Sequence, residues 1–173
     1  LQSFLMLWSS QTVSSLGTAM TEFALIIWVY GQKGNASSVT LLTICTFLPT
    51  ILFRFIAGTI VDQWDKKCIM LVSDFVAACG TLTIFILYSV SGLQPWHLYV
   101  INILLSFMNA FQCPASYVAT SLLVPKEQYT RVSGLQSFSG SAVSILAPAL
   151  GSILLTFGEL SIVLIFDLIS FAI

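Results

Sequence analysis

Glu22 is the one charged residue in an otherwise uncharged stretch from Phe4 to Tyr30. If Tyr30 marks the outer end of a helix, the carboxylate sits about 12 Å inside that end. An ionised carboxylate at that depth of a bilayer is costly, so it calls for a basic partner, access to water, or a bound proton. Two chemistries fit. The group exchanges a proton or ion during a cycle, or it is hydrogen-bonded to its neighbours for packing alone. Beside it runs a stripe of small residues, Ser10, Ser14, Gly17, Thr21 and Ala24, at spacing 4, 3, 4, 3.

A second polar feature lies further on. Asn102, Ser106, Asn109, Cys113, Ser116 and Thr120 follow the spacing 4, 3, 4, 3, 4. On a helix all six share one face. Lipid does not tolerate such a face, so it packs on another helix through hydrogen bonds or lines a water-filled cavity. The number of polar groups favours a cavity wall, and Pro114 adds a break. Arg54 and Asp74 fall at similar depth near one end of two neighbouring segments. They are expected to pair as a clamp on that side.

The densest charge is in Gly58-Thr-Ile-Val-Asp62-Gln-Trp-Asp65-Lys66-Lys67, between two apolar runs. Gly58 and Asp62 are one helical turn apart and share a face. A glycine there admits another backbone, and the aspartate can accept hydrogen bonds from the N-terminus of a neighbouring helix.

Other chemistries lack their residues. An intramembrane serine hydrolase needs a nucleophile and a base on facing helices. Ser139-Gly140 is present, but the sole histidine, His97, sits at a segment boundary, and no Gly-x-Ser-Gly occurs. There is no phosphate-binding Gly-x-x-x-x-Gly-Lys-Ser/Thr loop and no cofactor motif, so ATP is not expected as the energy source. Cys45, Cys68, Cys79 and Cys113 lack paired spacing and read as small apolar helix residues. With a net charge of -1 the chain has no basic field for nucleic acid.

The elements that must hold these residues follow from composition. Of the 173 residues, 57% are hydrophobic and only 8% charged. A soluble domain carries roughly 25% charged residues. The chain is therefore an all-α integral membrane protein, with the lipid bilayer as its solvent. Period-two alternation, the mark of a membrane β-barrel, is absent. Six apolar segments are expected, at 4–30, 39–61, 68–90, 97–123, 132–157 and 161–173. Each of the first five is long enough to span. The last would reach only about 20 Å of a core of about 30 Å, which implies a longer polypeptide. Lys66, Lys67, Lys126 and Arg131 lie on one side and Lys33 on the other. The positive-inside rule places the former and the N-terminus in the cytoplasm. Pro49 and Pro148 are expected to bend the second and fifth segments. Ser133, Ser137, Gly140, Ser144, Ala147 and Gly151 form a close-packing stripe on the fifth.

The stretch from Gly58 to Lys67 resembles the signature between helices two and three of the major facilitator superfamily. Gly58, Asp62, Lys66 and Lys67 match; Gln63 and Asp65 depart from it. Gly140 to Gly151, including Ala147-Pro148, resembles the superfamily's antiporter signature of helix five, with Ala147 and Ser152 in place of glycines. Phe111-Gln-Cys-Pro114-Ala115, Val124-Pro125 with Glu127 and Arg131, and Phe166-Asp167-x-x-Ser-Phe171 look like the macrolide-efflux-like branch of multidrug exporters. So does Phe4 to Tyr30.

The resemblance covers the whole chain and implies the N-terminal half of a twelve-helix transporter: six transmembrane helices as two inverted three-helix repeats. It implies a cell-membrane protein that exports small hydrophobic drugs in exchange for protons by alternating access. Its missing partner is a C-terminal six-helix half. Helices one and four would line the cavity, and helices two and five would face that other half. The arginine that many such antiporters carry in helix four is absent, which moves the proton-coupling role to Glu22. Trp28 and Phe111 would touch the drug. The alternative is a facilitator or importer of a small metabolite with the same fold.

Overall fold

The computed structural model describes residues 2–124 and 128–171. Within them the chain forms α1 (Gln2–Lys33), α2 (Ala36–Gln63), α3 (Lys66–Ser89), α4 (Pro95–Leu123) and α5 (Tyr129–Phe171). Among the described residues, five helices are long and apolar enough to cross a bilayer, and Leu160–Phe171 forms a shorter apolar stretch.

Local chemistry sets the helix ends. Gly34 closes α1 in the left-handed region at φ 63°, and its N–H donates to Tyr30 O at 2.8 Å. Glycine takes that conformation without a Cβ penalty. Asp65 caps α3: its carboxylate accepts from the backbone N–H of Lys67 at 2.9 Å. The turn after α3 closes through Gly92 N–H to Leu87 O at 2.9 Å. Pro95 then opens α4 at a position where no amide hydrogen is needed. His97 Nδ1 accepts from the N–H of Gln94 at 3.1 Å, as the third residue of a capping box does. The sole histidine thus has a capping role at the segment boundary.

The chain divides into two compact units, one of Leu1–Trp28 with Thr120–Ile173, the other Val29–Ala119. In the second unit, contacts fix helix direction. Thr46 meets Asn102, Thr50 meets Ser106, and Arg54 meets Cys113. The numbers rise together, so α2 and α4 run parallel. Ser73 meets Met108, while Gly80 lies against Leu105 and Ile101, so α3 runs antiparallel to α4. Val61, Ile69, Met70 and Ala115 make the apolar core at one end of this unit.

The first unit is built on α1 and α5. Trp8 packs with Val132 and Leu135, Thr12 meets Ser139, and Met20 lies against Gly151. These pairs advance together, so α1 and the first part of α5 are parallel. Beyond Gly151 the order inverts: Thr21 meets Asp167, and Gly17 lies against Ser170. A straight helix would carry Asp167 about 24 Å past Gly151. Met20 and Thr21 are neighbours, so α5 turns back between the two contacts. Separate segments are expected at 132–157 and 161–173. Helical hydrogen bonding instead runs through the reversal, and the two directions of travel are kept.

Candidate functional site

Asp167 is the best-built polar position in the first unit. It is 1% exposed. Thr21 Oγ1 donates to its Oδ2 at 3.0 Å, and Thr18 Oγ1 approaches Oδ1 at 3.5 Å. Ser170 Oγ donates to the Asp167 carbonyl at 2.7 Å. Gly17 supplies the room. A Cβ on it would meet Asp167 Oδ1 at 2.8 Å and Cα at 3.2 Å, and Ser170 Oγ closer still. Part of the small stripe of α1 (Gly17, Thr21 and Ala24) is therefore buried. Glu22 follows Thr21 directly and is exposed on the surface of α1, inside the membrane-length stretch Trp8–Gln32.

The polar stripe of α4 is divided. Asn102 Oδ1 accepts from Thr46 Oγ1 at 3.3 Å, and Asn102 Nδ2 donates to Leu98 O at 2.8 Å. Ser106 Oγ donates to Thr46 O at 2.5 Å, with Cys45 O at 3.2 Å, while Thr50 Oγ1 donates to Ser106 O at 3.1 Å. Both residues are buried. This half of the stripe is a seam on α2 and not a cavity wall, because α2 presents carbonyls and threonine hydroxyls at the same spacing. Asn109 is exposed, and Cys113 and Ser116 are half-buried.

The expected Arg54–Asp74 clamp is not formed. Arg54 Nη2 donates to Cys113 Sγ at 2.8 Å. Asp74 Oδ1 accepts from Gln112 Nε2 at 2.6 Å. Each charge is tied to α4, on adjacent residues, because α4 supplies a nearer partner to each. Above them Phe53, Phe107 and Phe111 form an edge-to-face ladder with centroids 4.8 and 5.0 Å apart. Phe111 is half-buried in this ladder and against the apolar core.

A model of the Major Facilitator Superfamily matches residues 7–173. The chain belongs to that superfamily. It is 29% identical over 166 residues to macrolide efflux protein A of Streptococcus pyogenes, covering 96% of this chain and 41% of that protein. The relative of the same name from Enterococcus faecalis is 29% identical over 78% of this chain and 42% of its own length. An uncharacterized MFS-type transporter of Bacillus subtilis, YfiS, is 28% identical over 85% of this chain and 34% of its own length. The chain thus spans between 34% and 42% of the length of these relatives. It is an all-helical, multi-pass membrane half of the superfamily's transporter fold, near the macrolide-efflux branch.

The superfamily motifs take definite places. Gly58 has nothing within 4 Å of where its Cβ would stand. The side chain of Asp62 lies outside the described ones. Asp65, which departs from the signature, is the cap of α3; Lys66 is half-buried and Lys67 exposed. On α5, Ala147 and Gly151 are buried, Pro148 is half-buried, and Gly140 and Ser144 are exposed, Ser144 Oγ donating to Gly140 O at 2.7 Å. Asp167 was visible in sequence only as part of the Phe166–Phe171 resemblance. An aspartate within an apolar segment, beside Ser170, was the signal that could have singled it out.

Proposed function

We propose that this chain is the N-terminal half of a proton-coupled exporter of hydrophobic drugs, working by alternating access. Glu22 carries the reading: it is a carboxylate well inside a membrane-length helix, where ionisable side chains serve ion and proton pathways. The likeness to macrolide efflux proteins over most of the chain supports an apolar drug as substrate. In the cycle, deprotonated Glu22 attracts a cationic or polarisable substrate. Protonation neutralises it and lowers the cost of the dehydrated, opposite-facing state. Trp28, in the same unit as Glu22, offers an apolar contact.

The test uses the full-length protein in everted membrane vesicles with an imposed, inside-acid pH gradient. A fluorescent lipophilic cation, ethidium, accumulates with the unaltered protein and not with Glu22→Gln. Equal accumulation by both would remove Glu22 from coupling. If neither responds to the gradient, the facilitator or importer reading replaces drug antiport.

A further inference from the structure

Pro49 is buried and stands near the middle of the apolar span Ala36–Val61. As a helix, either end is about 20 Å away. Proline has no amide hydrogen, so it cannot close the helical ring on the carbonyl four residues back, Cys45 O. Its ring also crowds that same carbonyl. Lipid has no donor to offer instead, and a neighbouring helix must supply one. Helical structure nonetheless runs through Pro49, from Ala36 to Gln63.

The donor comes from α4. Ser106 Oγ lies 3.2 Å from Cys45 O and 2.5 Å from Thr46 O. The hydroxyl has one hydrogen, and its rotation brings either carbonyl within reach. Thr46 O also receives Thr50 Oγ1 at 3.3 Å and is the normal helical acceptor of the Thr50 amide. Cys45 O is the carbonyl that proline leaves short. Ser106 is 4% exposed, so bulk water does not take its place.

A serine that merely glued two helices together could face any turn of its neighbour. This one stands over the turn that the single internal proline of α2 opens. Contacts with α4 lie on both sides of that turn. Thr46 meets Asn102 before it; Phe53 meets Phe107 and Arg54 meets Cys113 after it.

We propose that Ser106 supplies from α4 the donor that Pro49 withholds from α2, and that Pro49 is a positioning residue for transport. It opens the middle turn of α2 and so aims the half that bears Arg54 and Gly58. The device is fixed: the ring keeps the turn open with or without the hydroxyl, and the hydroxyl stabilises the opened turn. The positioning role rests on the proposed exporter function; the donor role does not.

Two measurements on the full-length protein test the two roles. The first is a double-mutant cycle read as Tm in detergent. Ser106→Ala should lower the Tm while Pro49 is present. In Pro49→Ala the restored amide closes on Cys45 O, and the same Ser106→Ala should lose less than half as much. Pro49→Gly restores the amide too and should weaken the dependence likewise, which guards against a poorly folded alanine variant. Thr46→Val is the control. Its hydroxyl serves Leu42 O and Asn102 Oδ1, neither of them freed by the proline, so its loss should be the same in both backgrounds.

The second is gradient-driven ethidium uptake in proteoliposomes, taken per folded molecule. Pro49→Ala should lower the maximal rate about threefold or more and leave KM within about twofold. Ser106→Ala should leave the rate per folded molecule unchanged, because the ring still holds the turn open. A proline that served folding alone would move the Tm and not this rate. Equal Tm losses from Ser106→Ala in all three backgrounds overturn the donor role. An unchanged rate in Pro49→Ala overturns the positioning role. If the unaltered protein accumulates no ethidium under the gradient, the exporter reading fails and the positioning role falls with it, while the Tm cycle still decides the donor.

Discussion

At Gly17 a single added carbon has nowhere to go. Ser170 Oγ and Asp167 Oδ1 can swing aside, but the Asp167 Cα at 3.2 Å is backbone. Gly17→Ala should therefore push α1 from α5 and cost ~1–3 kcal/mol, as overpacking does. Gly134 is also helical and has nothing within 4 Å of its Cβ position. Gly134→Ala should leave stability unchanged or raise it by ~0.5–1 kcal/mol. Thermal unfolding of the full-length protein in detergent checks both, and equal losses would contradict the close approach. Partner choice at Arg54 and Asp74 is tested by double-mutant cycles in the same assay. Asp74→Asn with Gln112→Ala should show coupling of ~1 kcal/mol, and Arg54→Gln with Asp74→Asn close to none. Charge and depth suggested the Arg54–Asp74 pair, but neither shows which way a side chain leaves its helix. Asp167 shows the same limit: its donor Thr21 is 146 positions away in sequence, beyond any local period.

At the scale of the element, the stripe of α4 was legible and what covers it was not. The 4, 3, 4, 3, 4 spacing says that Asn102 to Thr120 share a face. It cannot say that α2 answers the first two residues with Thr46, Thr50 and two carbonyls. Helix ends were more readable, because Gly34, Gly92 and Pro95 act through their own backbones. The reversal within α5 was readable as two apolar runs, although helical bonding continues through it. If the first half of the α4 stripe is a seam, Ser106→Ala should cost ~0.5–1.5 kcal/mol, and Asn102→Leu at least as much. Transport should fall only in step with the folded fraction. Asn109→Ala, at an exposed position, should leave the Tm in place and change the KM for substrate. A KM change at Ser106 with an unmoved Tm would return that residue to the cavity wall.

At the scale of the molecule, this chain matches its superfamily from residue 7 to 173 yet covers 41% of the first relative's length. Its surface is correspondingly apolar: Phe55, Phe138, Ile145 and Phe157 are each at least 70% exposed. Lipid accounts for such residues without further argument. Glycines need another explanation, because a helical glycine exposed to lipid loses stability and gains no contact. Gly58 and Gly140 both face open space in this chain. Both belong to motifs whose helices the superfamily resemblance turns toward the other half, and small residues there let backbones approach. Gly58→Leu and Gly140→Leu should accordingly leave this half able to fold while blocking closure against the remainder. In full-length protein, membrane-inserted yield should stay within about twofold of the unaltered level, and driven transport should drop about tenfold or more. Gly31→Leu is the control: its Cβ position is equally open, and it lies in neither motif. It should leave both yield and driven transport near the unaltered level. Transport unaffected by all three leucines would mean that the two motif glycines face lipid.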